Sequence, residues 1–199
     1  MKSFRLGIQG IAPLLLHKYS VNTEQEVQAN TRRVHLRQML PRDAAEAVAY
    51  RLPDGQLYLP SEALHRSIAE AAAEFKQRGM RKSLKYIVPA AVTIADSVLT
   101  FKPKIKDFEV DARPVVIPAT KGRVMRYRPR LEQWTIETQL DVDDEILDPD
   151  TCLAIIEVAG RRQGVGDYRP ARMGPFGRFA VVDWTLLTVP AKPGRHVAS

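Results

Sequence analysis

The sequence predicts an α+β fold in which two helices are interleaved with four strands in the order β-α-β-β-α-β. Three observations support this prediction. Apolar and polar residues alternate near the N-terminus and again at 134–140, which is the period of a half-buried strand. Two other segments have helical spacing of their apolar residues and follow a capping residue. The length of 199 residues suits one domain that carries insertions.

The first predicted strand covers 4–11, where Phe4, Leu6 and Ile8 occupy alternate positions. A long insertion follows it, at about 12–60. Within this insertion we predict a short helix at 43–50 and a hairpin whose tight turn is Pro53-Asp54-Gly55.

The first helix of the core is predicted to begin at Ser61, which we interpret as its N-cap. Leu64, Ile68 and Phe75 form one apolar stripe at helical spacing. Gly79 is predicted to end the helix.

A second strand is predicted at 84–94, because β-branched residues are frequent there. Pro89 interrupts this segment and therefore suggests an edge strand or a bulge. A second insertion follows at 95–132, with four prolines and a short hairpin.

The third strand is predicted at 134–140, and a second helix follows it. Asp148 is the predicted N-cap, Pro149 takes the first helical position and Gly160 is predicted to end the helix. The last predicted strand covers 179–187.

Without the two insertions, this order is that of a ferredoxin-like core, in which four antiparallel strands carry both helices on one face. RNA-recognition motifs share this core, but the sequence lacks the aromatic strand signature of that motif. We predict a single domain at 1–189 and a disordered tail at 190–199.

Positive charge is concentrated in a few segments of this chain, whose formal net charge is +7. Residues 76–85 and 121–130 each hold five cations and no acid, and residues 161–178 hold five arginines and one acid. Residues 132–150 hold eight acids and no base. Such segregation suits a polyanionic partner on one side of the molecule. The alternative is a set of solvated loops.

Arg126, Arg128 and Arg130 alternate with other residues, so an extended backbone directs all three guanidinium groups to one side. Guanidinium groups at this spacing suit a row of phosphates, and Tyr127 suits the face of a base. Lys121 and Arg123 belong to the same cluster.

The most unusual stretch is the glycine-rich loop, residues 161–178. Its glycines follow a helix and precede a strand, which is the reverse of a dinucleotide-binding fingerprint, and the chain contains no GxxxxGK[ST] motif. Glycines with interspersed arginines allow a backbone to approach a phosphate chain, whereas the alternative is a flexible connector. The predicted nucleic-acid contacts in this loop are Arg161, Arg162, Gly164, Gly166, Arg169, Arg172, Gly174, Gly177 and Arg178.

The composition also limits the compartment and the chemistry. Cys152 is the only cysteine, so no intrachain disulfide forms, and we expect a cytoplasmic protein without a metal site or cofactor. No apolar run reaches the ~18 residues that a membrane-spanning helix needs.

Two motifs carry a resemblance to a known family: DGQLYLPSEALHR, at 54–66, and the glycine-rich loop with its GPFGRF ending. They resemble the junction of strand and helix and the C-terminal loop of the RAMP superfamily of CRISPR-associated proteins. The element order most resembles the repeating subunit that coats guide RNA. This resemblance implies a protein that binds RNA, oligomerises along the strand and joins other effector subunits in antiviral defence. It also implies that 95–132 touches the RNA and a neighbouring copy.

The sequence is also compatible with two other functions. A phage-type protein that binds single-stranded DNA has the same charge pattern. A metal-independent RAMP-type endoribonuclease needs a general acid and base, and His17 has the required chemistry. A lone histidine at a strand end is also an ordinary structural hydrogen-bonding residue.

Overall fold

The structure is a computed structural model that describes residues 1–18, 40–76, 82–116 and 122–187. The strands are β1 (Lys2–Gly10), β2 (Leu14–Leu15), β3 (Tyr58–Pro60), β4 (Val92–Ile94), β5 (Val98–Thr100), β6 (Glu109–Val116), β7 (Arg123–Leu131), β8 (Thr135–Val142) and β9 (Phe179–Leu187). The helices are α1 (Pro41–Glu46), α2 (Ser61–Ala71), α3 (Val88–Ala91) and α4 (Pro149–Val158).

The central sheet has the order β4-β8-β1-β9, and all of its neighbouring strands are antiparallel. Phe4 lies opposite Leu140 and Ile8 lies opposite Ile136, so the apolar positions of β1 and β8 share one face. Residues of α2 and α4 belong to the same buried cluster as these side chains. A sheet that is covered on one face by two helices confirms the predicted α+β class.

The opposite face of the central sheet is polar and carries more acids than bases. Arg5 of β1 is paired with Asp183 of β9, and Lys102 is paired with Glu137 of β8 at 3.0 Å. Gln139 and Asp141 occupy further outward positions of β8. This face therefore offers no aromatic platform for bases at these positions, in agreement with the missing RNA-recognition signature.

The two core helices lie where the sequence predicts them, but their first and last residues differ from the predicted ones. The side chain of Asp148 accepts a hydrogen bond from the backbone N–H of Thr151 at 2.9 Å, so the predicted cap is confirmed. Gly160 does not end that helix, because a π-helical turn continues it through Ala159–Gln163.

For α2, the N-cap is Pro60 and not Ser61, which is already helical and makes no side-chain capping bond. Leu64 and Ile68 are fully buried, as the predicted stripe requires. The helix ends at Ala71, before Gly79, and a 3-10 turn at Ala72–Glu74 follows it.

The strand predicted at 84–94 is mostly wrong. Leu84–Tyr86 forms a 3-10 turn, Val88–Ala91 forms the one-turn helix α3, and only Val92–Ile94 pairs with the sheet. Pro89 is in the first turn of α3. N–H groups in the first turn of a helix have no partner within the helix, so the N–H that proline lacks is not needed there.

The first insertion contains the predicted turn and a helix that is shorter than expected. Gly55 has a φ of 83°, and the Asp54 side chain accepts a hydrogen bond from the N–H of Gln56 at 3.0 Å. The helix is α1, which covers Pro41–Glu46 and not 43–50. The two flanks of the turn pair through an isolated bridge between Arg51 and Leu57 and through the N–H of Tyr58, which donates to the carbonyl of Tyr50 at 3.1 Å. Further along, β3 pairs with β5.

The second insertion is dominated by one hairpin, which is longer than the short hairpin we predicted. β6 pairs with β7 continuously from Glu109–Arg130 to Val116–Arg123. β2 pairs with the base of β7, where Leu14 lies opposite Leu131. The hairpin is thus joined to the N-terminal segment by a second sheet of order β2-β7-β6. Lys121 and the predicted tail at 190–199 lie outside the described residues.

Candidate nucleic-acid interface

The hairpin of β6 and β7 has one charged face and a second face that is apolar except for Arg123, which lies opposite Val116. Because side chains alternate along a strand and opposed residues share a face, the predicted arginine row does lie on one side of the sheet. We call this side the charged face; its cross-strand pairs are Glu109–Arg130, Asp111–Arg128 and Arg113–Arg126.

Arg128 is the buried centre of the charged face, with 4% of its side chain exposed. Its Nε donates a hydrogen bond to Asp167 Oδ2 at 2.6 Å, and its Nη1 lies 3.9 Å from Asp111 Oδ1. Asp111 also accepts a hydrogen bond from Arg113 Nε at 2.7 Å. The charge of Arg128 is therefore neutralised inside the protein, and this side chain is not part of the exposed surface.

Asp167 is the residue that joins the glycine-rich loop to the hairpin. Burial by itself raises the pKa of Asp167, but Arg128 and His17 together with the backbone N–H of Tyr168 outweigh burial and hold that pKa below its ordinary value. The N–H of Asp167 donates to the carbonyl of Leu15 at 2.8 Å. The carboxylate thus stays ionised at neutral pH while its backbone is tied to β2.

The glycines of this loop are explained by the packing of the chain on itself. A methyl group on Gly166 would lie 2.5 Å from the carbonyl oxygen of Leu15, and one on Gly177 would overlap the carbonyl oxygen of Val165. Both residues have a positive φ, of 76° and 68°. Gly164 and Gly174 are crowded by the loop itself in the same way. Their presence therefore needs no phosphate, and contact of these glycines with nucleic acid stays a prediction.

Two arginines of the loop are paired with helix α2 and the turn that follows it. Arg169 Nη2 lies 3.0 Å from Glu70 Oε2 and only 12% of the Arg169 side chain is exposed, while Arg162 is paired with Glu74. These partners are distant in sequence, so the charge pattern of the loop by itself gave no sign of them.

The remaining predicted arginines are more accessible. Arg123, Arg161, Arg172 and Arg178 are exposed, and within the described parts of the chain no carboxylate is paired with any of them. Arg126 is half-buried. Arg130 is also half-buried, and its Nη2 lies 2.6 Å from Glu132 Oε2.

The predicted base-stacking residue Tyr127 is half-buried and packs against the hydrophobic core. Sequence reasoning missed the contact that joins the two basic elements beside it. The guanidinium carbon of Arg113 lies 4.6 Å from the ring centroid of Phe176, a residue of the glycine-rich loop. A basic residue on one strand and an aromatic one far along the chain carry no sequence signal that they meet.

His17 is half-buried, and its charge helps to lower the pKa of Asp167. Burial raises the pKa of the Cys152 thiol to about 12, which leaves it protonated and unreactive at neutral pH. Among the described residues no group of three or more His, Cys, Asp or Glu side chains is arranged to hold a metal ion.

No helix in the described ranges combines the length and the apolar composition that crossing a membrane requires.

No protein-family model matches this sequence. No curated protein matches it either. Among solved structures, the chain is similar to the crystal structure of Cmr6 from Pyrococcus furiosus, with a TM-score of 0.42 and 12% sequence identity. The similarity covers 90% of this chain and 97% of that chain.

The first prediction concerns the buried arginine. Arg128→Met removes the guanidinium and leaves the Asp167 and Asp111 carboxylates without their common partner, so we expect the free energy of unfolding to fall by about 3 kcal/mol. Arg123→Met makes the same chemical change at an exposed position of the same strand and should alter it by less than about 0.5 kcal/mol. Urea unfolding of both variants measures the difference, and equal effects would contradict the structural role of Arg128.

The second prediction concerns the glycine-rich loop. Gly55 and Gly177 both have a positive φ, but a methyl group on Gly55 meets no atom within 4 Å. Gly55→Ala should therefore cost about 1 kcal/mol for backbone strain alone. Gly177→Ala should cost about 2 kcal/mol more, because the loop has to move away from Val165. Thermal unfolding compares the two variants, and a Gly177→Ala protein as stable as Gly55→Ala would refute the packing explanation.

Proposed function

We propose that this protein is a subunit that binds single-stranded nucleic acid, with RNA favoured over DNA. One observation carries the proposal. The hairpin and the glycine-rich loop, which hold two of the three basic segments, are joined through Arg128 and Asp167, while Arg123, Arg172 and Arg178 remain exposed on these two elements. Arg128 holds the two elements together through Asp167, and the exposed Arg123, Arg172 and Arg178 are available for phosphates.

The proposed core is ferredoxin-like. The support is that the two core helices and the strands β1, β4, β8 and β9 follow one another as β-α-β-β-α-β, with a spatial order in which the first strand lies between the third and the last. The proposed RAMP relationship is supported by the junction at Pro60, where β3 ends and α2 begins, and by the glycine-rich loop that leads into β9.

Binding of this kind is electrostatic in its first step. Exposed guanidinium groups displace counterions from a phosphate chain, and this release makes the affinity fall as salt is raised. Next to them on the loop, Met173 is 96% exposed and Tyr168 is 37% exposed, so an unpaired base has apolar surface to meet. We propose that several copies bind side by side along one strand in the cytoplasm, together with other subunits of a ribonucleoprotein.

The proposal is tested by replacing the three exposed arginines with alanine. The triple variant Arg123→Ala, Arg172→Ala and Arg178→Ala should bind a single strand about tenfold more weakly, and its log-log salt slope should fall by up to ~0.7 for each phosphate that the protein no longer neutralises. Fluorescence anisotropy with labelled RNA and DNA of the same base sequence measures both quantities and ranks the two polymers. Longer RNA strands should bind more copies of the protein, and native mass spectrometry of the complexes counts these copies.

The control is a second triple variant with the same reduction of positive charge, Arg5→Ala, Arg66→Ala and Lys102→Ala. Arg5 and Lys102 are paired on the polar face of the central sheet, and Arg66 is exposed on α2. Equal weakening by both variants would reduce the effect to net charge and contradict the proposed surface. A wild-type protein that binds neither polymer would end the proposal.

A second candidate function is metal-independent RNA cleavage by His17. The observation that favours it is the place of His17, which follows β2 and is half-buried, and whose charge helps to lower the pKa of Asp167. An imidazole titrates near neutral pH and can therefore transfer a proton. His17→Ala should abolish cleavage in the presence of a chelator and leave strand affinity unchanged. Absence of cleavage by the wild-type protein would reject this function and leave the binding proposal intact.

A further inference from the structure

A second basic surface lies at the C-terminal end of α2. Three segments meet there, which are 72–76, 82–86 and the π-helical turn Ala159–Gln163. The N–H of Leu84 donates to the carbonyl of Phe75 at 2.9 Å. The π-helical turn is held to the same place by the ion pair of Arg162 with Glu74. We call these three segments the helix-end surface.

The helix-end surface is strongly positive. Lys76, Lys82, Lys85 and Arg161 are exposed on it, and Glu74 is the only acid in the three segments. Since Glu74 is already paired with Arg162, the four other cations set the potential of this surface.

Tyr86 is the aromatic member of this surface, and it is 83% exposed. The 3-10 turn that presents it is anchored from below by Leu84, which is buried. The hydroxyl of Ser83 accepts a hydrogen bond from the N–H of Lys85 at 3.1 Å and donates to the carbonyl of Ala72 at 3.3 Å. The ring is thus held outward by an ordered turn, with a cation directly beside it in the chain.

In the described residues of the hairpin and the loop, no aromatic ring is as exposed as that of Tyr86. Tyr127 packs against the core, and the ring of Tyr168 lies 6.0 Å from that of Phe176. The π-helical turn of the helix-end surface runs directly into the glycine-rich loop, so the exposed Arg161, Arg172 and Arg178 belong to one stretch of chain. Between Arg161 and Arg178 the chain contains one acid, Asp167, and that carboxylate is paired with the buried Arg128.

We infer that the helix-end surface is a second contact for the same single strand, in which a base stacks on Tyr86 and Lys82, Lys85 and Arg161 neutralise the neighbouring phosphates. The inference rests on the proposed function. Stacking on an exposed ring accepts any base, because every base has a π-face. The contact therefore adds affinity without adding sequence preference.

The experiment separates stacking from charge. Tyr86→Ala should weaken binding of a long single strand at least about fivefold and leave the log-log salt slope unchanged, because no charge is removed. Tyr86→Phe keeps the ring and should bind within about twofold of the wild type. The double variant Lys82→Ala and Lys85→Ala should lower the slope by about 1.4. Leu186→Ala, which shortens another exposed apolar side chain, is the control and should bind as the wild type does.

The outcomes distinguish this inference from the function on which it rests. Unchanged affinity of Tyr86→Ala, with weakening by the hairpin and loop variant, would overturn the helix-end contact and leave the proposed function standing. Equal weakening in Tyr86→Phe and Tyr86→Ala would also overturn it, because the ring would then not be what binds. Absence of any single-strand binding by the wild-type protein would overturn both.

Discussion

A guanidinium group that is withdrawn from water needs carboxylates close to it, and the arrangement of this protein around Arg128 follows from that need. Asp111 reaches it from the neighbouring strand of the hairpin, and Asp167 reaches it from the glycine-rich loop. Asp167 is in turn tied to β2 through its backbone N–H. One buried charge thus connects the hairpin, the loop and the N-terminal segment, and it determines which arginines remain outside.

The basic segments therefore serve two purposes that a count of charges does not separate. Arg128, Arg162 and Arg169 hold the loop to the hairpin and to the α2 region through acids. Arg123 and Arg172 have no such partner in the described ranges and lie exposed. An exposed cation keeps its full attraction for a polyanion, whereas a neutralised buried one stabilises the fold and contributes little to the outer field. Function and stability are thus divided among residues of the same type.

Prediction from the sequence succeeded where a residue's environment depends on its near neighbours. The alternation of Phe4, Leu6 and Ile8 and the cap at Asp148 are local, and both agree with the structure. It failed at 84–94, where β-branched residues favoured a strand but Pro89 allowed a helical turn. The hairpin was predicted too short, because cross-strand pairing depends on partners and not on local propensity.

The sequence by itself determined the α+β class, the place of the two core helices and the segregation of positive charge, because periodicity and composition act over a few residues. Only the tertiary structure decided that Arg128 is buried while Arg123, on the same strand, is exposed. It also decided that the glycines of the loop fit against the protein's own backbone, and that Tyr86 stands outward beside lysines. The reason is physical: burial and ion pairing depend on residues such as Asp111 and Asp167 that only folding brings together.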